Sequence, residues 1–209
     1  MTTSLSHRIG QLSAAVALAV LTTVPVAASG SANQSTAQAG GSGRWLDEQL
    51  VGWNAAGMPV PTPATPTGGA LNPSCASTLR WAEQPEDQTL VDAGWSLQAP
   101  YLAGWGITSV YGASAYNGMC LPLAYNVFVF VNGVFAGTIS PELMNSRTSG
   151  AGTITGIQNG RVNARFVRYA ATDPLCCPSM PAVEVTFEVQ STPDGPVLVP
   201  VSKFVEGGA

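Results

Sequence analysis

The sequence predicts an α+β fold, mainly antiparallel β, in a single disulfide-stapled domain of β-hairpins with one or two short helices. Three observations carry this expectation. Asn132-Gly133 and Asn159-Gly160 each separate two β-rich runs, and an Asn-Gly pair supplies the positive φ values that a two-residue hairpin turn needs. Val183, Val185, Phe187 and Val189 alternate with Glu184, Thr186, Glu188 and Gln190, so that strand has one apolar and one polar face. The chain also has four cysteines, Cys75, Cys120, Cys176 and Cys177, behind an N-terminus that reads as an export signal.

In chain order, residues 1–28 read as a signal peptide. Arg8 closes a short basic region, Leu12 to Leu21 is apolar apart from Ser13, and Val26-Ala27-Ala28 offers small residues before a cut at Ser29. An uncleaved anchor is the rival reading, but Gly10, Gln11, Thr22, Thr23 and Pro25 interrupt the apolar run. Residues 29–43 are small and polar and read as a flexible leader. Leu46, Leu50 and Trp53 then fall at i, i+4 and i+7, predicting a short amphipathic helix over residues 44–53 that must dock to be stable. The prolines of Met58–Pro66 favour an extended strut, completing a helix-and-linker segment over residues 44–74 ahead of the domain at residues 75–205.

Within that domain a helix is expected around Glu86–Ala93, covering one side of the sheet. The first hairpin runs from Tyr125–Val131 to Val134–Ile139, and the second from Gly152–Gln158 to Arg161–Tyr169. Asn117-Gly118 and Asp194-Gly195 mark two further turns. Phe128-Val129-Phe130-Val131 is apolar on both faces and belongs at the centre of a sheet.

The vicinal cysteines constrain the pairing. Adjacent Cα atoms lie about 3.8 Å apart, below the usual disulfide span of about 4.4–6.8 Å, so a bridge between neighbours forms only with strain. The expectation is Cys75–Cys176 with Cys120–Cys177, or the crossed alternative, and the vicinal bridge is the disfavoured third pattern. A closed loop of about 100 residues would contribute up to ~4.7 kcal/mol on the chain-entropy model. Structural stapling is the expected role of all four, because secreted cysteines usually serve it. The chain has no Cys-x-x-Cys, and no histidine survives cleavage, so neither a metal site nor thioredoxin-type redox catalysis is indicated.

Cleavage would remove Arg8 and no acid, leaving seven basic against 12 acidic residues and a net charge of −5. That balance argues against nucleic acid and anionic membrane surfaces as partners. With 45% hydrophobic and only 10% charged residues the chain has the composition of a folded domain, and no stable membrane span is expected after cleavage.

The stretch from Asp92 to Val189 resembles the LppP/LprE family of actinobacterial cell-envelope lipoproteins. The likeness rests on Asp92-Ala93-Gly94-Trp95, on Tyr116-Asn117-Gly118-Met119-Cys120-Leu121-Pro122-Leu123, and on the run Phe128 to Pro141 with Ser146-Arg147. Arg168-Tyr169 and Asp173-Pro174-Leu175-Cys176-Cys177-Pro178-Ser179 complete it, and Cys75 ahead of it also looks like a family feature. It implies a location at the cell envelope, secreted or extracytoplasmic, and supplies no activity or catalytic set. Family members typically carry a lipobox cysteine after the signal peptide, where this chain has Ala28-Ser29, so lipid anchoring does not carry over.

For function the expectation is a secreted, non-catalytic envelope-associated domain binding a glycan, lipid or protein, without a cofactor. The only histidine is His7, inside the expected signal peptide, which removes Ser-His-Asp and Cys-His mechanisms from the mature domain. The alternative is a carboxylate-dependent hydrolase of cell-wall polymers, for which two converging acids would suffice. Its candidates are Asp92, Glu142 and Asp173, each also readable as a helix-face or turn acid. Trp81, Trp95, Tyr101, Trp105, Tyr111 and Tyr116 crowd the segment before the main strands. The candidate ligand contacts are Trp95, Trp105, Tyr111 and Tyr116, with Arg161 and Arg165 on one strand face opposite Glu184 and Glu188. As a charge ladder those pairs would contribute little, typically ~0.2–1 kcal/mol each.

Overall fold

The computed structural model describes residues 42–63 and 73–207. The expected signal peptide, its cut before Ser29, most of the leader and the end of the proline-rich strut lie outside the described residues. Helix α1 spans Pro85–Asp92. Eight strands follow: β1 Ser96–Gly104, β2 Ile107–Tyr116, β3 Pro122–Val131, β4 Val134–Thr138, β5 Gly152–Gln158, β6 Arg161–Arg168, β7 Met180–Thr192 and β8 Gly195–Val205. They form two four-stranded sheets, ordered β1-β2-β3-β4 and β5-β6-β7-β8, with every pairing antiparallel. Short 3₁₀ turns at Arg44–Leu46 and Pro73–Thr78 are the other helical pieces among the described residues.

The hairpins form where the turn chemistry places them. Asn132 and Gly133 have φ values of 48° and 82°, and Asn159 and Gly160 have 50° and 75°, as a two-residue turn with both centres left-handed requires. At the last turn Thr192 pairs with Gly195, so Pro193-Asp194 occupy its centre, one residue earlier than Asp194-Gly195 suggests.

The main core lies between the sheets. Ile107, Tyr111, Val127 and Val129 of the first sheet meet Val162, Phe166, Val183, Val185 and Phe187 of the second. On the opposite side of the first sheet, Phe128 and Phe130 pack with Leu90 of α1, Trp95, Leu97 and Val110. Strand β3 is therefore apolar on both faces because both are covered, one by the second sheet and one by α1.

Helix α1 has Pro85 in its first turn, where a missing amide costs nothing. The Gln84 side chain and Asp87 close a reciprocal cap on each other's backbone amides. It ends at Gly94, φ 98°, where the Trp95 amide donates to the Leu90 carbonyl at 3.0 Å. Leu90 and Asp87 face inward.

The amphipathic helix expected over residues 44–53 is replaced by the single 3₁₀ turn Arg44–Leu46. Packing explains the correction. Trp45 and Leu46 are neighbours in sequence, yet both are buried, and Trp45 meets the Phe166 ring at 5.0 Å and the Trp53 ring at 5.1 Å, edge on. Trp53 in turn meets Phe187 at 5.9 Å. A helix presenting Leu46, Leu50 and Trp53 would turn Trp45 off that face. Carbonyls that a helix would use internally are taken by the Lys203 ammonium, which donates to Leu46 O at 2.7 Å and Glu48 O at 2.6 Å. Gly43, assigned to the leader, is buried against Gly150. Trp45, Leu46 and Trp53, read as part of a helix and linker ahead of the domain, thus pack into the sandwich core.

The cysteine pairing also departs from expectation. Cys75 bonds Cys120, and Cys176 bonds its neighbour Cys177. The turn Asn117–Cys120 places Cys120, φ 61°, with its Cα 5.2 Å from that of Cys75, which is itself fully buried. The loop bearing Cys176 and Cys177 belongs to the second sheet, between β6 and β7, and folds back on itself. Neither of its sulfurs reaches the N-terminal segment, so only the Cys75–Cys120 bridge staples distant parts of the chain.

Candidate functional site

Three hairpin tips gather at one end of the sandwich. The β1–β2 tip is Trp105-Gly106, closed by the Gly104–Ile107 pair. Against it lies the β3–β4 tip: the Asn132 amide donates to Gly106 O at 2.8 Å, and the Asn132 side chain fills the space where a Cβ on Gly106 would stand. Gly104, at the base of the β1–β2 tip, lies against Ile157 near the end of β5, where the β5–β6 tip, Asn159-Gly160, begins. Beside that tip an open cleft of about 370 Å³ is lined by Gln158, Asn159, Gly160, Arg161, Glu188 and Val189.

Trp105 stands out at this end. Its φ is 58°, and its side chain is 71% exposed. The two other tips put Asn in the equivalent left-handed position, because a short amide side chain tolerates it. A bulky residue there is a backbone outlier, held at a cost of order 1 kcal/mol.

The other sequence candidates are distributed differently. Arg161 donates from Nε and Nη2 to Glu188 Oε1 at 2.9 and 2.6 Å, within the cleft wall and in the register expected across β6 and β7. Arg165 lies opposite Glu184 as expected, but its guanidinium forms a two-bond pair with Glu206, at 2.5 and 2.8 Å. Trp95, Tyr111 and Tyr116 are core residues, which withdraws them from the surface aromatics. Trp95 packs on Phe128 and donates its indole N–H to Pro61 O at 2.7 Å. The Tyr111 oxygen accepts the Ile154 amide at 2.7 Å, linking the two sheets, and burial raises its pKa. Burial pushes the Tyr116 phenol up to about 12. Trp81 is exposed, and Tyr101 receives the Arg80 guanidinium over its ring at 5.1 Å.

The three candidate acids lie in separate elements, each with its own partners. Asp92 accepts from Gln88 Nε2 on α1, and Glu142 accepts the Ser42 amide. Asp173 closes the β6–β7 loop by accepting the Ala170 and Ser179 amides at 2.7 and 2.8 Å and the Ser179 hydroxyl at 2.6 Å. The Ser179 hydrogen bonds, with that of Ala170, hold its carboxyl below the usual range. Among the described residues no three or more His, Cys, Asp and Glu side chains cluster as metal ligands.

The sequence reading placed Glu188 opposite Arg161 but missed Gln158 and Asn159 beside that pair, and Asn132 against the Trp105-Gly106 turn. The Asn-Gly signals identified the turns, and strand alternation sends the β1–β2 and β3–β4 tips to the same end. That the β5–β6 tip joins them follows from the packing of one sheet on the other.

Among the described residues no helix is long and apolar enough to cross a membrane. No curated protein and no solved structure matches the chain. A family model described as LppP/LprE lipoprotein matches residues 107–192, from the start of β2 to the end of β7. The match takes in Cys120 and the vicinal pair but not Cys75 or α1. A lipoprotein family suggests an envelope-associated protein, and over residues 107–192 this chain is similar to the LppP/LprE lipoproteins.

Proposed function

We propose that this is a secreted, non-catalytic domain that binds an envelope glycan at the hairpin-tip end of its sandwich. The observation that carries the reading is Trp105, exposed in a left-handed turn position where the fold alone favours Asn or Gly. An indole in water offers a flat apolar face for a sugar ring, and its N–H remains available to hydroxyls. The cleft beside the β5–β6 tip, with Gln158, Asn159, Arg161 and Glu188, offers polar side chains with which a polyhydroxylated ligand can hydrogen-bond. Rigid hairpins positioning an exposed tip are a common way for a β-sandwich to carry recognition.

The test is retention of the purified mature protein on envelope polysaccharide, compared with lipid vesicles, for wild type and Trp105→Asn. Asn suits the backbone, so the variant should keep or slightly raise its melting temperature while losing at least about tenfold in affinity, the 1.4 kcal/mol expected of one stacked ring. Equal binding by the variant, retention on vesicles alone, or release of sugar products that Glu142→Gln or Asp173→Asn abolishes would overturn the reading, the last in favour of the hydrolase.

A further inference from the structure

The vicinal Cys176–Cys177 bond has no part in the hairpin-tip site, and the fold does not use it as a staple. It joins residues one apart in sequence, so it closes no chain loop and removes no loop entropy from the unfolded state. Both cysteines are exposed, as are Leu175 and Met180 on either side. Cys75 is fully buried, and its bond to Cys120 spans 45 positions.

The loop around the pair keeps its shape by other means. Asp173 clamps its base through Ala170 and Ser179, the Cys177 amide donates to Pro174 O at 3.0 Å, and the Tyr169 hydroxyl donates to Leu175 O at 3.2 Å. Pro174 and Pro178 restrict the backbone on both sides. None of these interactions needs the sulfur–sulfur bond, so opening it leaves two adjacent thiols displayed on the same framed loop. Thiol–disulfide exchange requires access of a thiolate to a disulfide sulfur, and the exposed pair offers it at both sulfurs, whereas in the other bond Cys75 is buried and Cys120 half-buried.

We infer that Cys176–Cys177 is a reversible redox site whose co-substrate is a dithiol. A thiolate of the dithiol attacks one sulfur of the pair, breaking the Cys176–Cys177 bond, forming a mixed disulfide and releasing the other cysteine as a thiolate, which takes up a proton. The second thiol of the co-substrate loses its proton and attacks the mixed disulfide. The products are an oxidised cyclic disulfide of the co-substrate and two cysteine thiols, a transfer of two electrons and two protons to the protein. The reverse sequence reoxidises the pair with a disulfide.

The full mature chain, incubated natively with graded mixtures of reduced and oxidised dithiothreitol, then alkylated and mapped by mass spectrometry, tests this. Two alkyl groups should appear on Cys176 and Cys177 in one reversible transition, with Cys75–Cys120 intact and the melting temperature unchanged. The reduced protein should bind one equivalent of a trivalent arsenical, and Cys176→Ser with Cys177→Ser should abolish that binding while leaving the melting temperature unaltered. Reduction of all four sulfurs together, modification of the pair only after unfolding, or alkylation of Cys176 and Cys177 in protein never exposed to reductant would overturn the inference.

Discussion

Asn54 binds Thr138 with both ends of its side-chain amide: Oδ1 accepts the Thr138 amide at 2.9 Å, and Nδ2 donates to the Thr138 carbonyl at 3.0 Å. The same Nδ2 reaches Leu198 O on β8 at 2.9 Å, so one side chain joins an edge strand of each sheet. It occupies the space beside Gly137, φ 140°, where a Cβ would collide with it. Asn54→Ala should therefore cost about 2 kcal/mol, the loss expected when partly buried backbone groups are left unpaired. Urea denaturation would measure it, with Asn54→Asp as a second variant that keeps the acceptor but loses the donor.

Arg80 and Asp87 form the most enclosed ion pair. Two bonds of 2.6 and 2.5 Å join them, and the Asp87 carboxylate, 0% exposed, also accepts the Glu83 and Gln84 amides at 3.1 Å. Burial opposes its ionisation, but the Arg80 bond, the two amides and the guanidinium charge outweigh burial and lower its pKa. A carboxyl depressed on folding contributes stability above its unfolded pKa, near 3.9, and that contribution fades as pH falls through the folded value. Asp87→Asn should lose about 3 kcal/mol at neutral pH. Melting temperatures of wild type and variant should converge below about pH 4.

Cys120→Ser removes the bridge that ties the segment before α1 to the β2–β3 turn. With 45 positions enclosed, the chain-entropy model assigns it about 4 kcal/mol. Secretion yield and melting temperature should both fall, whereas the Cys176/Cys177 double serine variant should match wild type.

Gly112 on β2 faces the packing between sheet and helix. A Cβ there would stand 2.9 Å from the Phe128 ring, 3.1 Å from Leu90 and 3.2 Å from Trp95. Gly112→Ala should thus destabilise by about 1–3 kcal/mol through overpacking rather than through backbone conformation. Leu90→Ala in the same protein should recover part of the loss, a coupling that a double-mutant cycle reads directly.

Local chemistry was legible in the sequence wherever it acts over a few residues. Asn-Gly pairs need positive φ wherever they sit, so both hairpins lie where they were expected. The helix expected around Glu86–Ala93 forms as α1, and the alternation in β7 reports its one buried face. Arg161 and Glu188 meet because hairpin register propagates from one strand to the next.

Contacts between distant segments were not legible in this way. Residues 44–53 have helical spacing, but docking Trp45 on Phe166 and Trp53 on Phe187 outweighs the weak propensity of a short helix. The cysteines illustrate the same limit: their number suggested disulfides, while the partner of each sulfur depended on which loops the two sheets brought together. Trp95, Tyr111 and Tyr116 share the aromatic character of Trp105, and only the covering of β2 and β3 on both faces buries three and leaves the fourth in water. The sequence by itself determined strands and turns, because these depend on backbone preference and local composition. Tertiary structure decided the cysteine pairing and the exposed end of the sandwich, because burial is a property of surfaces that meet only after the chain has folded.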